Sequence, residues 1–376
     1  MKTSKLNVTP RIEWSPPNIG IEEREAVLRV MNSGWMTQGP ETKAFESEIQ
    51  EVLQAEHAVV VNSGTSALIA ALMAHGVGAG DEVLVPALTF MATVNSVIAV
   101  GARPVLIDCD HETFNVTVDL MREKLTRRTK AIMPVDVYGM PVDIYAFQQF
   151  AREEGLILIE DSAEAIGATY RGKPVGSFGH TAIFSFHMAK LCSAVEGGCI
   201  ATNDAEIARR CRAIRNHGTD GTCRHIFFGL NFRTTDLHSA IGRVQLTKLK
   251  SSLEHRAELA AIYSTELRGQ VGLQTIPDYV TRHPRTIFGV LVDPARRDEI
   301  VHELNSEGID TRISWPIPTN KIYDRELFPA EALPAAEGIA SRIISLPMGN
   351  GLRVDEVRRV CTVLKNALAA SASFDS

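Results

Sequence analysis

Lys190 stands alone in its neighbourhood. The segment FSFHMAKLCSAVEGG (184–198) sets its ammonium among apolar and small residues, and no other Lys or Arg occurs between Lys173 and Arg209. Burying an ammonium is costly unless it is paired or neutralised. Either the side chain reaches out to solvent, or its nitrogen is wanted there as a neutral, nucleophilic amine. Two other segments offer complementary chemistry. VVVNSGTSALIAAL (59–72) turns from a strand through Asn62, Ser63, Gly64 and Thr65 directly into a helix. Such a turn presents helix-start N–H groups, Gly64 permits close approach, and Ser63, Thr65 and Ser66 add hydroxyls. It makes a cradle for a phosphate monoester or, more plainly, an N-cap. LILIEDSAEA (156–165) ends an apolar strand in Glu160 and Asp161. At the carboxyl end of a parallel strand, Asp161 would face the crevice where ligands bind and could hold a proton on a heterocyclic nitrogen. The plainer reading is a cap on a following helix, and strand parity does not say which carboxylate faces the ligand.

An anion cradle, a carboxylate for a ring nitrogen and an isolated lysine are together what pyridoxal phosphate requires. Ser185 before Lys190 and the pair Gly197-Gly198 after it belong to the third part. A protonated ring nitrogen makes an electron sink. The lysine must be deprotonated to attack, and partial burial beside a cationic ring lowers its pKa to that end. Other ligand motifs fail. GATYRGKP (167–174) has the glycine spacing of a phosphate loop, but Pro174 stands where a Mg²⁺-binding hydroxyl is needed, and YRGKPVG reads as a turn. GVGAGDE (76–82) follows a helix instead of a strand. The 11 histidines form no H-E-x-x-H and no Cys/His cluster, so no metal site is expected.

The elements that must position these groups follow from hydrophobic patterning. Short apolar runs alternate with amphipathic stretches from about residue 57 to 203: HAVVV, DEVLVPA, RPVLIDCD, KAIMPVDVYG, GLILIEDSA, HTAIFSF and GGCIATND read as strands. Continuous Val/Ile/Leu runs indicate strands covered on both faces, hence an α/β fold with a mostly parallel central sheet flanked by helices. DAEIARRCRAIRNHG (204–218) reads as a helix stopped at Gly218, and one long helical stretch is expected over 234–268. Beyond it, RTIFGVLVD, ARRDEIVHELNSEG and VDEVRRVCTVLKNALAA give a strand and two helices of a smaller C-terminal α/β domain. The expected division is a large domain over 11–255 and a small one over 256–376, with a disordered tail SASFDS.

Composition bounds the function. Hydrophobic residues make up 45% and charged residues 22% of 376, with a formal net charge of −6. Nothing here recruits nucleic acid or an anionic membrane. The six cysteines, with no C-x-x-C pair, read as free thiols of a reducing compartment. The N-terminus has no apolar signal segment, and no apolar run reaches the about 18 residues of a membrane span. A cytoplasmic protein is expected.

The sequence resembles the DegT/DnrJ/EryC1/StrS family of sugar aminotransferases, on the fold-type I scaffold. SGWMTQGPETKAFE, NSGTSALIAAL, GDEVLVPALTFMATVNSV, GARPVLIDCD, EDSAEAIGATYRGKPVGSFG, FSFHMAKLCSAVEGG and NFRTTDLHSAIGRVQL occur in family order over nearly the whole chain. The resemblance implies that Lys190 forms the Schiff base with pyridoxal 5′-phosphate and that Asp161 partners the pyridine nitrogen. It also implies that Gly64, Thr65 and Ser185 hold the phosphate and that Phe90 lies against the cofactor ring. Glu164 would face the ring hydroxyl, as in perosamine-type synthases; otherwise it is a helix-capping carboxylate. Asn231 would reach the phosphate from a second subunit with Arg233 nearby, in a homodimer with shared sites. The implied reaction moves an amino group from L-glutamate to a nucleotide-linked 4-keto or 3-keto deoxyhexose. The alternatives are a keto-cyclitol or related antibiotic precursor as acceptor, or a cofactor-binding regulatory protein; a dehydratase of this lineage would carry histidine in place of Lys190. The chain departs from the common pattern at Asp136 and Pro318, where histidine is frequent, and around the lysine. These departures bear on the keto substrate, not on the cofactor.

Overall fold

The structure is a computed structural model that describes residues 11–16, 18–222, 224–315, 321 and 332–370. Cys223, Pro318 and the tail SASFDS lie outside the described residues. Two helices come first, α1 (Ile21–Ser33) and α2 (Pro40–Leu53). Alternation follows: β1 (His57–Val61), α3 (Gly64–Ala74), β2 (Glu82–Pro86), α4 (Met91–Ala99), β3 (Arg103–Ile107), α5 (Val118–Arg122), β4 (Thr129–Ile132), α6 (Ile144–Glu154) and β5 (Ile157–Asp161). A small hairpin, β6 (Thr169–Tyr170) and β7 (Lys173–Pro174), precedes β8 (Thr181–Ser185) and β9 (Gly198–Thr202). Arg171 and Gly172, both at positive φ, make its two-residue turn, so the segment resembling a phosphate loop is a hairpin.

The central sheet has seven strands in the order β1-β9-β8-β5-β4-β2-β3. Six run the same way and β9 runs against them, pairing antiparallel with both β1 and β8. The apolar runs are explained by burial on two sides. Val59 and Val61 of β1 enter one core with Val83, Val85, Ile159 and Ile183, while Ala58 and Val60 enter another with Ala182 and Phe184. Helices cover each face, as parallel strands require.

Helices α7 (Ala205–Arg215), α8 (Asp236–Thr247) and α9 (Leu249–Glu266) lead to the C-terminal part. The single helix expected over 234–268 is two, broken at Lys248. The two halves pack on different partners, α8 on α1 and α2, α9 on the last helix. The Lys248 ammonium at the break donates to Glu23 Oε1 of α1 at 2.7 Å. The chain then forms β10 (Gly272–Leu273), β11 (Val280–Arg282), β12 (Phe288–Leu291), α10 (Arg297–Ser306), α11 (Pro334–Arg342), β13 (Ile343–Leu346) and α12 (Val354–Ala369). Strands β10, β12 and β13 make an antiparallel sheet with its own core, in which Leu259, Tyr263, Phe288, Ile300, Ile344 and Leu364 meet Ile12 from the N-terminal segment. Strand β11 instead extends the hairpin.

Asp236 at the start of α8 also caps α2. Its carboxylate accepts the N–H groups of Gly39 (2.7 Å), Glu41 (3.1 Å) and Thr42 (3.0 Å) and the Thr42 hydroxyl (2.8 Å). A buried carboxylate with four donors at a helix N-terminus is a strong tie. Asp236→Ala should lower unfolding free energy by about 2 kcal/mol, read as a lower urea midpoint at unchanged slope.

Candidate active site

The carboxyl ends of β5 and β8 lie side by side and that of β1 lies one strand away across β9, at the same edge of the sheet, so the three chemically distinctive segments converge. They line a cavity of about 280 Å³ that Gly64, Thr65, Phe90, Asp161, Glu164, Ser185 and Lys190 share. Seven of the nine residues singled out in the sequence are thus brought together. Asn231 is exposed, and Arg233 donates to Asn216 Oδ1 at 2.5 Å; neither lines this cavity.

The turn after β1 is built for an anion. Ser63 is the N-cap of α3, its Oγ accepting Ser66 N–H at 3.0 Å and donating to Ser66 Oγ at 2.9 Å. Two hydroxyls counted toward the cradle are therefore occupied with each other, which leaves Thr65 and the first-turn N–H groups of Gly64 and Thr65. Glycine is required on both sides of this turn. A Cβ on Gly198, at the start of β9, would stand 2.3 Å from the Ser63 carbonyl oxygen, and one on Gly64 would press on Ser185 Cβ at 3.1 Å. The antiparallel strand thus begins in glycine because the β1–α3 turn lies on it.

Parity at the end of β5 is decided. Asp161 is on the cavity side; Glu160 is fully buried on the other, with Oε2 at 2.9 Å from His180 Nε2. No helix follows β5, so neither carboxylate is a helix cap, and the same holds for Glu164. Asp161 Oδ2 accepts the Thr93 hydroxyl at 2.7 Å, and Thr93 in turn contacts Thr89 Oγ1 at 2.8 Å. Oδ1 accepts Ala163 N–H at 3.2 Å. Burial pushes the Asp161 carboxyl up to about 6, against the pull of Thr93, the Ala163 N–H and the Lys190 charge. Thr93 was not singled out by sequence reasoning. Its signal was a hydroxyl one turn beyond Phe90 in TFMATVNS, at the start of α4, where Phe90 is the 62% exposed N-cap residue.

Lys190 sits beyond β8, on a turn closed by its own N–H donating to the His187 carbonyl at 2.8 Å. Its Nζ donates to Glu164 Oε1 at 2.9 Å, with the side chains 19% and 10% exposed. The isolated lysine is therefore paired with a carboxylate in this structure. Glu164 Oε2 accepts the Tyr138 N–H at 3.1 Å, which fixes the carboxylate. The cavity also has a third carboxylate, Glu196, and one more basic group, His187. Its own charge is acidic; anionic substrates would need cations from elsewhere. The described residues hold no group of three or more His, Cys, Asp or Glu side chains fit for a metal ion, and no helix long and apolar enough to cross a membrane.

The family model of DegT/DnrJ/EryC1/StrS aminotransferases matches residues 17–365. The chain belongs to that family. Solved members of similar fold include S. venezuelae DesV, in complex with a ketimine intermediate, at 35% identity and a TM-score of 0.92, covering 96% of this chain and 99% of DesV. Helicobacter pylori PseC, an aminotransferase involved in the biosynthesis of pseudoaminic acid, matches at 27% identity and a TM-score of 0.88, covering 96% of this chain and all 100% of PseC. NtdA from Bacillus subtilis, with bound cofactor PMP, matches at 28% identity and a TM-score of 0.87 over 95% of this chain and 85% of NtdA. The fold is fold-type I, as the family resemblance implied, and its mostly parallel sheet is the one expected from the strand pattern.

The Asp161 carboxyl makes a prediction for the cofactor-free protein. Its folded value, about 6, lies above the ordinary 3.8, so the folded chain keeps this proton where the unfolded chain has lost it. Stability falls as pH rises from 3.8 through 6. Asp161→Asn cannot ionise and should escape that loss, gaining roughly 2–3 kcal/mol on wild type between pH 4 and pH 7, as read by urea unfolding at each pH.

Proposed function

We propose that the protein is a pyridoxal 5′-phosphate-dependent aminotransferase that moves an amino group from L-glutamate to a nucleotide-linked 4-keto or 3-keto deoxyhexose. The observation that carries this reading is the meeting, in one cavity, of Lys190, the buried Asp161 and the Gly64–Thr65 helix start. The donor set fits the cofactor. Gly64, Thr65 and Ser185 offer N–H and O–H donors to a phosphate, Asp161 offers a buried carboxylate to a ring nitrogen, and exposed Phe90 offers a ring face. The relatives solved with a ketimine or with PMP support the cofactor, and PseC supports an amino-sugar product.

When bound, pyridoxal phosphate supplies an electron sink that acidifies the α-C–H of an amino acid joined to it. The chain's own residues do the rest. Asp161 holds a proton at the ring nitrogen, and Thr93 and the Ala163 N–H keep its carboxylate in place. Lys190 Nζ would hold the cofactor and, when free, would take the proton lost by the donor's α-carbon. Glu164 Oε1, at 2.9 Å from Nζ, steadies that nitrogen while it carries charge. The keto substrate then runs the same proton movement in reverse.

The proposal includes a homodimer in which Asn231 and Arg233 of each subunit serve the other's site. The acidic inventory of the cavity supports it, since an anionic substrate needs cations and, among the described residues, the lining offers Lys190 and His187 alone. The division into a large (11–255) and a small (256–376) domain rests on the separate core of the antiparallel sheet. A cytoplasmic setting rests on the free, buried thiols of Cys109, Cys192, Cys199, Cys211 and Cys361.

The test is 2-oxoglutarate release from L-glutamate with TDP- or UDP-linked 4-keto and 3-keto deoxyhexoses as acceptors. Lys190→Ala should abolish it, and Arg233→Ala should lower it severely. Mixed and re-equilibrated, the two variants should recover about a quarter of wild-type activity, because half the dimers are hybrids with one intact site. Wild-type protein that releases no 2-oxoglutarate with any of these acceptors would contradict the reading, and mixing without recovery would contradict the shared site.

A further inference from the structure

Among the described residues, eight other than glycine have left-handed backbone: Gln54, Phe114, Tyr138, Arg171, Val195, His217, Arg285 and Trp315. For a bulky aromatic residue this region is a true outlier, and such outliers gather at ligand clamps and active sites. Three of the eight are aromatic, and those three touch in a chain. Phe114 (φ 65°) meets Tyr138 edge-on, with ring centres 6.3 Å apart. Tyr138 (φ 61°) packs on Trp315 (φ 58°), with ring centres 4.9 Å apart and planes at 32°. Phe114 and Tyr138 are buried, while Trp315 is half-buried and lines the active-site cavity.

The chain of rings is tied at both ends. The Tyr138 hydroxyl donates to the Ser314 carbonyl at 3.4 Å, next to Trp315, and the Tyr138 N–H donates to Glu164 Oε2, whose other oxygen holds Lys190. Asn115, beside Phe114, accepts the Val137 N–H at 3.0 Å and donates to the Met140 carbonyl at 3.0 Å, so the 137–140 turn is gripped from Phe114's own segment. Core packing alone does not require an indole in a strained conformation at a cavity wall. A large flat apolar surface among few polar groups does suit the C–H face of a pyranose.

We propose that Trp315 is the platform on which the hexose ring of the keto substrate lies, with Tyr138 as the positioning residue that ties this platform to the Glu164–Lys190 pair. The inference rests on the sugar-acceptor reading above and adds the residue that recognises the ring.

The test uses cofactor-loaded homodimer and two non-reacting probe pairs, TDP-glucose against TDP and UDP-glucose against UDP, titrated by calorimetry. In wild type the sugar-bearing member of at least one pair should bind about tenfold more tightly than its diphosphate alone. Trp315→Gly, which removes the ring and accepts the positive φ without strain, should bring that ratio close to one. Trp315→Phe should keep most of it. The single-turnover reaction of wild type with L-glutamate, followed by absorbance, separately checks the aminotransferase reading on which the proposal rests. A ratio that survives Trp315→Gly overturns the proposal, as does a wild type that prefers neither sugar. A wild type inert to glutamate would instead strike the aminotransferase reading, and the probe titrations would still judge the platform.

Discussion

A carboxylate buried at the end of a strand is the constraint on which this site depends. Asp161 is almost wholly removed from water, and it is held by the Thr93 hydroxyl and the Ala163 N–H rather than by a cation in hydrogen-bond contact. Removing a charge from water without an ion partner raises the cost of ionisation, which is why this carboxyl sits near 6. A protonated heterocycle in the cavity would reverse that balance. The same buried negative charge that burdens the cofactor-free fold would then keep a ring nitrogen protonated.

The architecture keeps that carboxylate in register with its partners. Parallel strands β5 and β8 end together, so Asp161 and Ser185 open onto one crevice, and β1 delivers the Gly64–Thr65 turn beside them. The single reversed strand, β9, makes the approach close, because its first residue is glycine and lies beneath that turn. Lys190 hangs from the loop between β8 and β9 and is met by Glu164 from the loop after β5. Both loops are irregular, yet each is held by hydrogen bonds to neighbouring segments, with Tyr138 N–H and Thr286 Oγ1 both donating to Glu164. Function thus rests on loops fixed by a rigid sheet.

What could be read in the sequence was what is decided locally. The strand HAVVV, the helix after NSGT and the isolation of Lys190 depend on neighbours in the chain, and each has a visible pattern; the helix expected over 204–218 is present too, but it ends at Arg215 rather than at Gly218. What depends on distant neighbours was not legible. The break at Lys248 comes from α8 and α9 choosing different partners, and no glycine or proline marks it. The choice between Glu160 and Asp161 needed the strand's orientation, and the mutual use of Ser63 and Ser66 needed the turn's geometry. Thr93 is remote from Asp161 in sequence and reaches it only when the start of α4 is brought to the end of β5. Trp315 carries no sequence signal for a left-handed backbone, because that conformation is imposed by surroundings rather than by residue type. Asn231 and Arg233 were singled out through the family resemblance alone, and within one chain they stay away from the cavity.

The claim at the centre of this account is that Lys190 holds a cofactor that exchanges amino groups. The most direct test is the visible spectrum of purified protein loaded with pyridoxal 5′-phosphate, recorded before and after L-glutamate is added. The account predicts a band from lysine-bound cofactor that gives way to the absorbance of the pyridoxamine form. A band that glutamate leaves unchanged would contradict the donor assigned here, and no band at all would contradict the role of Lys190.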